Sequence, residues 1–282
     1  MSTKVLAILI LLFATALSVA GCKGKNGNNG DGKPAVTVKT QRLSDTSGFA
    51  MSNGERCAIV ADAAIDFPIS VVNGAAVDSL QHLFAVHVLE AGDSLSLQEA
   101  MRQVVANSLH QYDFMSGPLS DEEAVEATAD GLRTVKYATS TRVTPIYNQN
   151  GVVTFERVDV VKKNEKVTSV THRYYSFDVE TQTFIDLNRL FRDDAISDIC
   201  KLLRQQLLKQ NNATGNEQLN DLGYFNVENI SVTRNFYFDE NGITWSFLPN
   251  ELAVEAVGEP KITIPYADLE SSLCEESIIQ RF

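Results

Sequence analysis

The sequence predicts an α+β fold in which antiparallel sheets are packed by helices, in two modules that share a core. Three observations carry this reading. Between Leu132 and Leu187, β-branched and aromatic runs are separated by turn signals, the pattern of an antiparallel meander. Ahead of the meander, apolar residues recur at helical spacing behind capping signatures. After it, one amphipathic helix precedes short strands joined at Asn241-Gly242.

In chain order, residues 56–72 are rich in Ala, Ile and Val and read as one or two strands. Pro68 belongs at an edge or bend there, because proline cannot donate to a ladder. Asn73 is expected to cap a helix that buries Val77, Leu80, Phe84 and Val88. Ser96 with Glu99 forms a capping box for a second helix, burying Leu97, Met101, Val104, Val105 and Leu109. Ser120 with Glu123 repeats the signature and predicts a short third helix ending near Gly131. The meander is expected as strands at 132–147, 152–161, 167–178 and 183–187, with turns at 148–151 and 162–165. A helix over 194–210 places Ile196, Ile199, Cys200, Leu203 and Leu207 on one face. Strands at 229–239, 243–248 and 261–264 and a helix over 265–273 close the chain, with the Asn241-Gly242 hairpin attributed to positive φ at both residues.

The N-terminus has a different character. Lys4 is followed by an uncharged apolar run over 5–19 and the small residues Ala20 and Gly21, the three-part build of a secretory signal. Fifteen helical residues span about 22 Å, short of the roughly 30 Å hydrocarbon core. Val19-Ala20-Gly21-Cys22 resembles the lipobox of bacterial lipoproteins. That resemblance implies cleavage before Cys22 and lipidation of its sulfur, and two or more acyl chains anchor a protein stably where one does not. Residues 23–33 hold no apolar side chain and are dominated by Gly and Asn, so they read as a flexible tether. The expected organisation is a signal peptide at 1–21, a tether at 22–34, a helix-rich module at 35–131 and a sheet module at 132–282. With Lys23 after the cysteine and no acidic run there, the folded part is expected in the bacterial cell envelope, lipid-anchored to the outer membrane on its periplasmic face.

The full chain has 24 cations and 36 carboxylates, a net charge of −12. This excludes nucleic acid and favours basic partners. Cys57, Cys200 and Cys274 leave room for at most one disulfide. Cys200, on a helix stripe, is expected as a small core residue. His82, His87, His110 and His172 are scattered, and His82 and His87 lie about 140° apart on a helix, so no metal site is expected. Glycine-rich phosphate loops and nucleophile elbows are absent. Asp121-Glu122-Glu123 is explained by the helix dipole, and Glu251 with Glu255 by a solvated face. Asn212-Ala213-Thr214 is a glycosylation sequon of little weight in a bacterial lipoprotein. Asp78-Ser79-Leu80 and Asp93-Ser94-Leu95 resemble the Asp-Ser/Thr-apolar site that some envelope bacteria O-glycosylate.

Five segments resemble, in order, the RsiV-type extracytoplasmic domain family: 175–178 (YSFD), 184–191 (FIDLNRLF), 235–243 (NFYFDENGI), 249–253 (PNELA) and 264–269 (IPYADL). The resemblance spans about 168–273, and Ile65-Asp66-Phe67-Pro68 resembles a companion N-terminal module. This family includes the outer part of a lysozyme-sensing anti-sigma factor and the non-catalytic region of a peptidoglycan deacetylase. It implies a ligand-binding module, with lysozyme-like basic proteins or peptidoglycan as partners and no cofactor. Neither anti-sigma nor deacetylase activity is expected. Where family members carry aromatics around a Glu-Ile-Ala segment, this chain has Asn250-Glu251-Leu252-Ala253-Val254-Glu255. The reading is therefore a non-catalytic envelope lipoprotein that binds or senses a ligand. Its alternatives are a structural or assembly lipoprotein and a glycan or peptidoglycan hydrolase.

Overall fold

The structure, a computed structural model, describes residues 35–50, 56–72, 74, 76–111, 126–127 and 133–282. The signal peptide, Cys22 and the tether lie outside the described residues. So do Asn73 and Asp121-Glu122-Glu123.

The chain enters as a long hairpin of β1 (Val36–Ala50) and β2 (Arg56–Val71), paired antiparallel along their length. Sequence reading placed no strand at β1, and the reason is visible in its burial. Val36 is its only fully buried described side chain, with Val38 and Leu43 half-buried, so the apolar alternation that announces a strand is missing. β2 alternates cleanly, with Cys57, Ile59, Ala61, Ala63, Ile65 and Phe67 buried. Pro68 sits opposite Val38 where the register shifts by a bulge, and its carbonyl accepts Gln81 Nε2 at 2.8 Å.

Two helices follow. α1 (Asp78–His87) starts after Val77, which occupies the N-cap without a side-chain hydrogen bond, and buries Leu80 and Phe84. α2 (Leu97–His110) carries the expected capping box: Glu99 N donates to Ser96 Oγ at 3.3 Å, and Ser96 N donates to Glu99 Oε2 at 2.9 Å. Much of the third helix expected before Gly131 lies outside the described residues. Its two described residues instead form a short strand, β3 (Glu126–Ala127), against Arg133 and Thr134.

The meander runs as expected through β4 (Arg133–Gln149), β5 (Val152–Lys163), β6 (Lys166–Asp178) and β7 (Thr183–Phe184). The large sheet has the order β1-β2-β4-β5-β6-β7, with β3 beside β4. β2 and β4 pair in parallel, Arg56 opposite Thr134 through Ile65 opposite Val143. A parallel pair needs a crossover of a dozen or more residues, and the segment containing α1 and α2 supplies it.

Beyond the sheet come α3 (Ile196–Gln210), α4 (Asn216–Asp221), β8 (Phe236–Phe238), β9 (Gly242–Ser246), β10 (Lys261–Pro265) and α5 (Tyr266–Leu269). α4 was not anticipated, and the helix expected over 265–273 ends early, its last residues forming a 3-10 turn. β8–β10 make a second, antiparallel sheet in the order β10-β9-β8. The strand expected over 229–239 shrinks to β8 because Asn235 uses its side chain where a ladder would use backbone. Its Oδ1 accepts Tyr174 N at 2.9 Å, and its Nδ2 donates to the carbonyls of His172 and Ser246 at 3.0 and 3.1 Å.

One sheet serves both modules. Val143, Val153, Phe155 and Phe177 face α1 and α2, where Phe84 meets Phe155 edge-on at 4.9 Å. Tyr147 and Val152 join the other core, built on Trp245, Phe191 and Phe238 with Ile199, Leu203 and Leu207 of α3. The buried carboxylate of Asp178 accepts Glu180 N at 2.9 Å and Arg281 Nη1 at 3.2 Å, tying the last turn to β6.

The Asn241-Gly242 hairpin forms for a different reason from the one expected. Neither residue has positive φ. Asp239 Oδ1 accepts both Asn241 N and Gly242 N, at 2.7 and 3.1 Å, folding an Asx-type turn. Glycine is required at 242 because a Cβ would collide with the carbonyl of Ile264 on the neighbouring strand. Gly242→Ala is therefore expected to destabilise the protein by about 1–3 kcal/mol in urea unfolding.

A second expectation concerns pH. His87 stacks on Phe184 at 4.1 Å with the rings 10° apart. Burial, and then His82, hold its pKa below the ordinary 6.5. The unfolded chain then binds the proton more readily than the folded one, so this contribution is complete above about 6.5 and declines as pH falls through it. Thermal melts should show Tm dropping between about pH 7.5 and 5, and His87→Phe should flatten that dependence.

Candidate functional site

The described residues form a small cavity of roughly 10 Å³ among Asp178, Ile185, Arg189, Glu276 and Ile278, room for about one water. Away from this cavity, one surface stands out. α4 ends at Asp221, and Gly223 turns the chain at φ +93, a conformation that disfavours other residues. The chain then runs against residues 252–254. Phe225 N donates to Leu252 O at 3.0 Å and Val254 N to Gly223 O at 2.9 Å, flanking the antiparallel bridge of Tyr224 with Ala253.

Leu252 and Ala253 are buried beneath this contact, while Leu222, Phe225 and Val254 remain 50%, 37% and 44% exposed. Carboxylates flank them along the chain. Asp221, Glu251 and Glu255 are exposed and form no ion pair among the described residues. Glu251 also shapes the loop, its Oε2 accepting Leu248 N at 2.8 Å beside Asn250 at φ 63. Between residues 211 and 260, eight carboxylates stand against one cation, Arg234. The result is an apolar centre with an acidic rim, chemically suited to a basic partner surface.

A polar joint at the end of this segment connects the small sheet to the large one. Lys261 Nζ donates to Tyr174 Oη at 2.8 Å, and Tyr174 Oη donates to Glu156 Oε1 at 3.0 Å. His172 Nδ1 lies 2.9 Å from the same carboxylate oxygen, and Glu259 Oε1 accepts His172 N at 3.1 Å. Lys261 also lies over the rings of Tyr174 and Tyr237, 5.3 and 5.7 Å from their centroids. Burial, and then the Glu156 charge, raise the Tyr174 pKa well above the usual phenol range, so this hydroxyl stays protonated as a donor. On the opposite face of β6, burial and then Glu90 push Tyr175 up to about 12.

The other residues singled out by sequence are scattered. His82 Nε2 lies 3.0 Å from Asp93 Oδ1, His87 packs on Phe184, and His110 ends α2. Glu251 and Glu255 belong to the acidic rim. Ser79 and Ser94 are both exposed, the first in α1 and the second in a turn. Asn212 has φ 51 in the turn after α3. Cys57, Cys200 and Cys274 are free thiols; Cys57 is buried and Cys200 half-buried on α3. Leu222 and Phe225 were missed because isolated apolar residues near a glycine carry no sequence signal of exposure.

A family model described as "Protein of unknown function (DUF3298)" matches residues 188–267, a range that contains Leu222, Phe225, Val254 and Lys261. No curated protein matches the chain. Among solved structures, a member of the DUF3298 family from Bacteroides fragilis NCTC 9343 aligns at TM-score 0.67 and 19% identity, over 88% of this chain and 98% of that one. A DUF3298 family protein from Pseudomonas aeruginosa PAO1 aligns at TM-score 0.52 and 11% identity, over 86% and 97%. At these identities the likeness is one of fold.

Tyr174→Phe removes the buried hydroxyl that links Lys261 to Glu156, leaving Glu156 with His172 alone and Lys261 with water. A stability loss of about 1–3 kcal/mol is expected in urea unfolding, with Tyr237→Phe costing less because Tyr237 is not part of the Lys261–Glu156 relay.

Proposed function

We propose that this chain is a non-catalytic, lipid-anchored protein of the bacterial envelope that binds a basic protein through the lobe of Leu222, Phe225 and Val254. The observation that carries the reading is the joint exposure of those three side chains within unpaired carboxylates. An apolar centre inside a charged rim is the anatomy of a protein-binding surface, in which the centre holds the partner and the rim steers it. The resemblance to the RsiV-type domain family, with its lysozyme-sensing member, favours lysozyme as the first ligand to try. Attraction between the acidic domain and a basic protein would raise the association rate tenfold or more at low salt, and a Debye length near 8 Å would reduce that gain at physiological salt.

Calorimetric titration of the domain with lysozyme at both salt concentrations tests the reading, with soluble peptidoglycan fragments in parallel. Binding is expected to weaken with salt and to fall about tenfold or more in Leu222→Ser/Phe225→Ser, whose sites are exposed enough to spare the fold. No heat with lysozyme under either condition rejects the basic-protein ligand, and heat from the fragments alone reassigns the domain to glycan. The anchor is tested separately by labelling cells with a palmitate analogue: label is expected on the wild type and absent from Cys22→Ala. Equal labelling of the two removes the anchor from the reading.

A further inference from the structure

The large sheet has a second face with the opposite chemistry. From Cys57 to Phe67 in β2 and from Val135 to Val143 in β4, odd-numbered residues are buried and even-numbered ones are half-buried or exposed. The even face is continuous across strands. Val60 lies opposite Ala138, Ser140 opposite Val160, and Val160 opposite Val170. Arg142 pairs with Val158 on one side and Ala64 on the other, and Ala64 in turn pairs with Arg42. Lys162 lies opposite Ala138, two residues along β4 from Lys136. Val60, Val158, Val160 and Val170 thus share a face with Arg42 and Arg142 toward one end and Lys136 and Lys162 toward the other, and Asp62 and Ser140 share the row of Val160 and Val170.

Two properties set this face apart. An antiparallel sheet with one solvated face normally shows polar residues there, yet Val60 and Val170 are 36% and 38% exposed. Its cations are also open to a partner: Arg42, Lys136, Arg142 and Lys162 form no ion pair among the described residues, a property they share with Lys39, Lys166 and Lys209, and here they stand on one face. Asp62, Asp66 and Glu156 lie on the same face, with Asp66 accepting a hydrogen bond from Thr40 and Glu156 engaged by Tyr174 and His172. A locally basic, partly apolar face thus sits on a chain of net charge −12.

We infer that this face, formed by β1, β2, β4, β5 and β6, rests on an anionic lipid surface. Five strands about 4.8 Å apart and some six residues at about 3.3 Å each give an area roughly 20 Å on a side. That is too broad for one small anion, and cations on either side of exposed valines match an interface where charged headgroups overlie hydrocarbon. Beyond a Debye length the net negative charge of the chain is screened, so the local sign of the face decides the contact.

The 32–282 unit is compact and carries the hydrophobic cores, so it can be tested without its anchor. It should co-sediment with phosphatidylcholine vesicles that contain phosphatidylglycerol, at low salt more than at physiological salt, and not with phosphatidylcholine alone. Each cation lost is expected to lower partitioning about fivefold. Lys136→Gln/Lys162→Gln and Arg42→Gln/Arg142→Gln should therefore both weaken binding, and Val160→Asn/Val170→Asn should weaken it at either salt, with unchanged circular dichroism showing that the variants fold. Failure to co-sediment with anionic vesicles, or variants that bind like the wild type, overturns the inference. Capture by soluble polygalacturonate with no vesicle binding instead assigns the face to an anionic polysaccharide. Because no acyl chain is present, failure of lipidation at Cys22 would leave this result intact, and the lobe that serves the lysozyme reading is untouched by these variants.

Discussion

Strands β4, β5 and β6 must satisfy two cores at once, and the period-two alternation of a strand is what allows it. Val153, Phe155 and Phe177 point to one side and Val152 to the other, with Tyr147 brought to that second side by the bulge between Pro145 and Tyr147, so one end of the ladder is packed by α1 and α2 on one face and by the second sheet with α3 on the other. A register slip of one residue would turn each set into the wrong core. The parallel pairing of β2 with β4 follows from the same demand. The hairpin of β1 and β2 reaches β4 only after α1 and α2 have covered the face that β2 shares with it.

Where the second sheet meets the first, polar groups replace apolar ones. Tyr174, on the face of β6 toward β8 and β10, is held between Lys261 and Glu156, and Asn235 substitutes side-chain hydrogen bonds for a strand that ends early. Such a seam is directional, because each hydrogen bond fixes a distance and an angle, and it sets the small sheet on the large one more narrowly than apolar packing alone would. The loop that precedes Lys261 carries Glu251, Val254 and Glu255, so the seam also supports the lobe that we assign to a partner.

The molecule divides its charge. Carboxylates gather around Leu222, Phe225 and Val254, while unpaired cations gather on the open face of the large sheet beside exposed valines. A chain that is acidic on average can thus present one surface to a basic protein and another to an anionic one. The average explains solubility, but the local pattern governs contact, since screening confines electrostatics to about a Debye length.

Local signals were legible in the sequence alone. The Ser96–Glu99 capping box, the stripe of α3, the alternation of the meander and the α+β class each arise from neighbours a few residues apart, where propensity and periodicity act. β1 escaped notice because it buries almost nothing itself, and the parallel pairing because no residue in either strand encodes its partner's direction. Asn241-Gly242 marked a true hairpin for the wrong reason: the carboxylate of Asp239 makes the turn, and a backbone twenty-two residues away, at Ile264, demands the glycine. Both surfaces given functions here were decided by tertiary structure. Exposure of Leu222 or Val170 depends on what else packs nearby, and the freedom of Arg42 or Lys162 on which carboxylates come within reach; both are properties of contacts distant in sequence, which periodicity does not record.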